Sequence, residues 1–436
     1  MRIAVVGSGI SGLAAAWMLA PTHEVHLFEK RDRLGGHTHT LSVGADRDAR
    51  SSRHNLQADA ATDEGRQPVD TGFIVYNTPT YPLLTQLLDE LGVATQESDM
   101  SWSLRCEHHD LEYAGSGPGI MAQKKNLANP SYLRFIADIL RFNRIANTIL
   151  DDPRRTEITI GRFLEAGSFG KDFGRHYLVP MAAAIWSTGM VGIEQFPLAT
   201  LLEFFRNHGL LGVTSHHPWR TVAGGTSSYI TPLMARLDPA NVHLGMGVQR
   251  IDRDEDGVDV IEVGGATHRF DKVLIAAHAD QALAMLSDPS DDERELLGTW
   301  EYSANVAYAH HDAALLPKTP AARASWNYLL DDCTAPGPSV SLTYDMNRLQ
   351  SIAGPTDWLV TLNPSVPPDP DATLWTGTYH HPSYTTASVA TQDKLDGLNG
   401  QQHTFYAGAH HRYGFHEDGL WSAVRAVGHL GVSWPA

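Results

Sequence analysis

The first twenty residues, "MRIAVVGSGISGLAAAWMLA", constrain the fold more than any other stretch. A short aliphatic run, Ile3 to Val6, leads directly into Gly7-Ser8-Gly9-Ile10-Ser11-Gly12 and then into an alanine-rich helical pattern. The three glycines have separate tasks. The first permits a tight strand-to-helix turn, the second lets a pyrophosphate approach the backbone, and the third lets the helix pack against the strand. The helix start offers N–H groups and a positive dipole end to phosphates. "HEVHLFEK" reads as a second strand, and Glu29 closes it 17 residues beyond Gly12, where a carboxylate can accept hydrogen bonds from a ribose. This βαβ opening predicts an α/β protein with a Rossmann-type dinucleotide site. Fixed glycine offsets and the lack of a longer basic segment argue against reading the same residues as a secretory leader.

Farther along, Val43 to Pro68 contains almost no large apolar residues and both signs of charge, so it is expected to be a mobile surface insertion. From Thr80 to about Gly224 the pattern is mainly helical, as in "YPLLTQLLDELGV" and "FPLATLLEFFRNHGLL". Residues 241–277 alternate apolar and polar side chains across turn glycines and aspartates, and strand-like pieces recur between Ser303 and Gln402. The most membrane-like stretch, Tyr177 to Ile193, contains Pro180, Ser187, Thr188 and two glycines, which favours a buried segment over a span.

A formal charge of −17 disfavours nucleic acid as a partner. Cys106 and Cys333 are far apart in a chain with no other cysteine, so neither a disulfide framework nor a CxxC pair is expected and a reducing cytoplasm fits best. The histidine-rich "YAGAHHRYGFHEDGLWSAV" (406–424) matches no metal-ligand spacing, and no metal is expected.

After Glu29, "EKRDRLGGHTHT" carries Lys30, Arg33, a second pair Gly35–Gly36, and then His37 and Thr38. Here the sequence resembles the flavin-containing amine oxidase and protoporphyrinogen oxidase superfamily. The resemblance continues in order through "VDTGFIVYN" (69–77, with Gly72, Phe73 and Ile74), "AGGTSSYITPLMARL" (223–237), "VQRI" (248–251, opening on Val248), "FDKVLIAA" (270–277) and the 406–424 stretch. It implies a glutathione-reductase-like FAD-binding domain built from 1–80, 225–290 and 400–436. A discontinuous α+β substrate domain is implied from a helical part, 81–224, and a sheet part, 291–399. FAD is expected without a covalent link, and the resemblance places Asp418, Gly419 and Leu420 in a final turn facing the flavin pyrimidine ring. It leaves open whether His37, which stands where amine oxidases usually have arginine, is a phosphate neighbour, a structural hydrogen-bonder or a flavin attachment point.

Amine oxidation in that superfamily generally uses a lysine near flavin N5. None of the seven lysines here falls convincingly in a substrate-domain strand, which disfavours an amine substrate. "SDMSWSL", "ASWNYLL", "LTYDMNRLQ", "TLNP" and "GFHEDGL" more specifically resemble bacterial flavoproteins encoded beside cyclopropane-fatty-acid synthase-like methyltransferases, similar to the N-terminal part of plant cyclopropane synthases. That likeness implies hydride transfer from a fatty acyl chain of a membrane lipid to flavin N5, with such a methyltransferase as a partner. His416 and Glu417 are the candidate catalytic residues; Tyr413, Trp326 and His381 are candidates for the substrate side. An amine, porphyrinogen or polyene oxidase, and a non-catalytic flavoprotein partner of the methyltransferase, remain as alternatives. Residues 121–155 carry seven basic side chains and three acids, with Arg134, Asp138, Arg141, Arg144 and Thr148 on one polar stripe. Such a helix either packs on its own domain or lies on an anionic bilayer, giving a cytoplasmic protein peripheral to the inner face of the membrane.

Overall fold

The computed structural model describes residues 1–44, 49–51, 65–115, 117–152, 158–167, 169–187, 190–211, 217–334 and 341–434. At its centre is a five-stranded sheet in the order Val242–Leu244, Glu24–Glu29, Arg2–Val6, Lys272–Ile275, Thr404–Tyr406, with every neighbouring pair parallel. Its strands alternate between two cores. Ile3, Val5 and Leu27 face the helices Ile10–Leu19 and His416–Gly428, while Ala4, Val6 and Phe28 face the meander Val248–Asp254, Gly257–Glu262, Thr267–Phe270. Both faces are covered, which is why these strands read as unbroken aliphatic runs.

A seven-stranded sheet lies apart from it, ordered Thr373–Pro382, Tyr302–His310, Leu359–Leu362, Ser341–Asp345, Trp326–Leu330, Trp102–Cys106, Leu111–Ala114. It is antiparallel except where Trp326–Leu330 runs parallel to Trp102–Cys106. Residues 81–224, expected to be mainly helical, also contribute strands. They supply two strands of this sheet and two, Thr95–Ser98 and Trp219–Val222, of a smaller one. Helices Pro130–Leu150, Ile160–Ala166 and Leu198–Asn207 pack with a segment that runs from Lys171–Phe173 through a π-helical turn, Gly174–Leu178, into Val179–Trp186.

Three other expectations change. Of the Val43–Pro68 insertion, residues 45–48 and 52–64 lie outside the described residues, but Ala49–Ser51 and Gln67–Asp70 flank Thr40–Val43 in an antiparallel sheet. In helix Pro130–Leu150, Asp138 is buried: it accepts a hydrogen bond from Gly170 N at 2.8 Å and pairs with Arg141 at 3.0 Å, so it does not belong to a solvated stripe. Leu133 and Leu140 of the same helix are 52% and 40% exposed. Finally, Cys106 and Cys333, though 227 positions apart, lie together beside His109 and His176 as free thiols, so what changes is the expectation of no metal-ligand cluster. Among the described residues no helix is long and apolar enough to cross a membrane.

Candidate active site

Between the carboxyl ends of the parallel strands and the seven-stranded sheet lies a cavity of about 790 Å³. Its nucleotide side is built first by backbone. Gly7 adopts φ +103°, and a Cβ there would stand 2.4 Å from the Ala276 carbonyl; a Cβ on Gly12 would stand 1.8 Å from the Gly7 carbonyl. At Gly9 a Cβ would meet no protein atom within 4 Å, which leaves open space where a diphosphate must approach. Gly36, at φ +59°, lies against this loop, since its Cβ would come 3.0 Å from Gly9 Cα. Gly35 N donates to the Ser8 carbonyl at 2.9 Å. Glu29 accepts from Ser8 N at 3.0 Å and Ser8 Oγ at 2.5 Å while bordering the cavity.

Of the residues singled out from sequence, Gly7, Ser8, Gly9, Ile10, Ser11, Glu29, Lys30, Gly36, His37, Gly72, Phe73, Ile74, Val248, Trp326, His381 and His416 line the cavity. Several others stand behind it. Arg33 is buried and binds the carbonyls of Gly36 and Thr38, at 3.0 and 3.3 Å, fixing the loop that carries the second glycine pair. Thr38 Oγ1 lies 3.0 Å from His416 Nε2 and 2.5 Å from Tyr229 OH, which is itself 2.8 Å from the same nitrogen. Gly419 lets the terminal helix close on the first, since a Cβ there would stand 2.9 Å from Ile10 and Ser11. Leu420 is core, and Asp418 is buried, accepting from Phe415 N at 2.9 Å. The triplet Asp418, Gly419, Leu420 therefore supports the helix, and Gly414, Phe415 and His416 are the residues that face the cavity.

The two candidate catalytic residues separate. His416 borders the cavity, stacked on Phe73 with ring centres 3.7 Å apart, and burial lowers its pKa to about 3. A general base is best matched near the working pH, so this neutral imidazole is a weak proton acceptor and a firm wall. Glu417, one residue on, turns away by a helical step. Its carboxylate accepts from Leu83 N at 3.0 Å and Leu84 N at 2.9 Å, at the start of helix Pro82–Glu90. Tyr413 also points elsewhere, with its hydroxyl 3.3 Å from Glu203. His416→Ala is accordingly expected to retain FAD and to slow flavin reduction by less than the roughly 10²–10⁴-fold typical of a lost acid–base group. Glu417→Gln is expected to destabilise the fold by about 1.5–3 kcal/mol through weakened charge-assisted hydrogen bonds, read by thermal unfolding, with flavin reduction unchanged.

The remaining walls come partly from the quoted stretches, with Met100, Trp102, Tyr344, His410 and Phe415, and partly from residues outside them. Met100, Trp102, Met181, Ile185, Trp186, Phe204, Leu210, Trp219, Tyr344, Tyr384 and Phe415 supply an apolar, aromatic end, and His278, His380 and His410 also face inward. Burial, then the neighbouring His380, lowers His278 to about 3; burial, again followed by His380, lowers His381 to about 4. Buried polar atoms without a protein partner gather here: Trp102 Nε1, Trp326 Nε1, Tyr384 OH, His37 Nε2 and His410 Nε2. Such groups need a ligand's acceptors or donors, or water. With the Gly9 opening, they fit a bound dinucleotide and its substrate.

The family model for flavin containing amine oxidoreductases matches residues 10–312. The chain belongs to that family. It carries the fold and the cofactor site of that family of flavin-dependent oxidoreductases, and FAD, when bound, would supply the two-electron acceptor. A flavoprotein of Mycobacterium tuberculosis named for monoamine oxidase activity, AofH, is 27% identical over 305 residues, covering 66% of this chain and 59% of its own. The 4,4'-diapolycopen-4-al dehydrogenase of Metabacillus indicus is 34% identical over 101 residues, covering 23% of this chain and 16% of its own. The chain thus aligns with less than two thirds of either relative's length. The fold matches that of the CLA-producing fatty acid isomerase from P. acnes with a TM-score of 0.62 at 17% identity, over 97% of each chain. In this flavoprotein the first turns of the Ile10–Leu19 and His416–Gly428 helices both open on the cavity, where their dipoles favour negative charge.

Proposed function

We propose that this flavoprotein oxidises an apolar, acyl-chain-like substrate, forming a carbon–carbon double bond, and does not oxidise an amine. The observation that carries the reading is the charge of the cavity wall. Glu29, Lys30 and Arg31 are its acids and fixed cations among the described residues, and all three lie beside the glycine loop. The aromatic end offers no carboxylate to hold an ammonium group. All seven lysines are described, and of these Lys30 alone borders the cavity. A saturated chain gains from such a wall roughly 0.8 kcal/mol per buried CH₂. The names of the fatty acid isomerase and of the diapolycopenal dehydrogenase, both for long apolar molecules, point the same way. In the reaction two electrons and one hydrogen leave a C–H bond as hydride to FAD, and the adjacent carbon loses a proton.

A substrate of this kind is drawn from membrane, and the outer surface suits that source. Met121, Leu127, Leu133, Leu140 and Ile145 are 53%, 43%, 52%, 40% and 36% exposed, with Arg134 and Arg144 exposed among them. Arg154 and Arg155 lie outside the described residues. Two readouts test the proposal. Anaerobic mixing with phospholipid vesicles carrying saturated and monounsaturated chains should bleach the flavin, while primary amines and diamines should not; the reverse pattern sinks the acyl reading. Arg134→Glu with Arg144→Glu should reduce sedimentation with anionic vesicles, each basic residue contributing on the order of 1 kcal/mol, and unchanged sedimentation would refute surface docking through this helix.

A further inference from the structure

Away from the flavin cavity, the chain's two cysteines meet two histidines. The ligand-type atoms of Cys106, His109, His176 and Cys333 all lie within 4.8 Å of one another. Cys333 Sγ stands 3.0 Å from His109 Nδ1 and 3.3 Å from His176 Nε2, and Cys106 Sγ stands 3.7 Å from His109 Nδ1. We propose that these four side chains form a structural Cys₂His₂ site for a divalent zinc ion.

The geometry matches the ion. Zinc takes sulfur at about 2.3 Å and imidazole nitrogen at about 2.0–2.1 Å in a tetrahedron, which sets ligand atoms roughly 3.3–3.8 Å apart. Two thiolates and two neutral imidazoles cancel the charge of Zn²⁺, so the filled site is neutral, and neutrality is what burial demands. Cys106, Cys333 and His176 are buried at 1%, 2% and 3% exposure, and His109 reaches the surface, leaving an entry path for the metal. Outer partners are also present. His176 presents Nε2 to the cluster and Nδ1 toward the Asp172 carboxylate, 3.9 Å away, the arrangement in which a carboxylate orients a metal-bound imidazole. His176 sits in the π-helical turn Gly174–Leu178, and π turns mark functional positions more often than regular helix does. Zinc would displace the thiol protons of Cys106 and Cys333, so both sulfurs bind as thiolates and two protons leave.

The placement gives the ion work to do. Cys106 ends strand Trp102–Cys106, His109 lies in the following turn, and Cys333 lies three residues past strand Trp326–Leu330, which pairs with the first in the register Trp326 to Trp102 and Leu330 to Cys106. The opposite ends of those strands carry Trp102 and Trp326 of the cavity wall, and the helix that follows His176 carries Met181, Ile185 and Trp186. Zinc would therefore clamp, at one end, three elements that wall the apolar cavity at the other.

The test uses full-length flavoprotein purified under reducing conditions. Elemental analysis should find one zinc per chain. Replacement by Co²⁺ should give, in difference spectra against the chelator-treated flavoprotein, the intense visible bands of tetrahedral cobalt and a near-ultraviolet thiolate charge-transfer band at one equivalent. Cys106→Ser and Cys333→Ser should each abolish that charge-transfer spectrum while retaining FAD. Asp172→Asn should weaken zinc binding about 10–100-fold. If a cysteine variant does not fold, the wild-type cobalt titration still decides. Sub-stoichiometric zinc with an octahedral cobalt spectrum overturns the site. So does a Cys106–Cys333 disulfide in the purified chain that, once reduced, still binds no cobalt.

Discussion

Gly9→Trp is expected to yield a folded, colourless protein. A Cβ at Gly9 meets nothing of the chain within 4 Å, so the fold itself does not resist a side chain there. The space the indole would fill is the approach to the backbone at the start of helix Ile10–Leu19, where phosphate oxygens must come within hydrogen-bonding distance. Cofactor content, measured by absorbance after acid release, should fall to background, while circular dichroism stays that of the parent. Gly12→Ala provides the contrast. Its Cβ would stand 1.8 Å from the Gly7 carbonyl, so helix and strand must separate and stability itself should drop. Retention of stoichiometric FAD by Gly9→Trp would displace the cofactor from this loop.

Acidification is expected to unfold the protein by forcing protons onto its buried histidines. Burial holds His208, His310 and His411, outside the cavity, at about 4, and His278, His381 and His416, around it, at about 3–4. In the unfolded chain each would titrate near 6.5. A histidine with a depressed folded pKa contributes stability that is complete above about pH 6.5 and is lost as pH falls toward the folded value. Asp70 and Asp418 act in the opposite sense. Burial raises both to about 7, so the folded chain keeps their protons and stability falls as pH rises from about 4 to about 7. These groups alone, six histidines against two carboxyls, take up a net of about four protons on unfolding near pH 5, a slope on the order of 5 kcal/mol per pH unit. With total stability of roughly 5–15 kcal/mol, the transition midpoint should lie about one to three pH units below 6.5. Intrinsic fluorescence against pH, with ionic strength fixed, reads it; an unfolding midpoint below about pH 3.5 would show these imidazoles to be hydrated and ordinary.

What the sequence made legible followed the range of the interactions concerned. The glycine loop, Glu29 and the strand–helix–strand opening are local, because a turn, a cap and an alternating core face are specified by residues within about thirty positions of one another. The terminal helix was recognisable as an element, but its facing was not. His416 and Glu417 are adjacent, and one helical step sends the first into the cavity and the second to the amides of Leu83 and Leu84, more than 300 positions away in the chain. Helical spacing placed Asp138 on a polar stripe because its partner, the Gly170 amide, lies on another segment. The tryptophan and methionine wall, and the meeting of Cys106 with Cys333, depend on the parallel pairing of two strands that are remote in sequence. No periodicity carries that information.

The five-stranded parallel sheet has a temporal consequence. Its members come from residues 2–29, from 242–275 and from 404–406, so its last strand reaches the sheet only after more than 400 residues have been synthesised. Everything between must fold as an excursion from an unfinished scaffold, while the edge of Lys272–Ile275 that Thr404–Tyr406 will cover stays open to pairing. Non-local parallel pairing is slow and leaves unpaired edges at risk of aggregation. The same stretch then delivers Gly408, Ala409, His410 and the start of the last helix to the cavity. Flavin retention thereby waits on residues 404–416, which are made long after the glycine loop that first meets the cofactor.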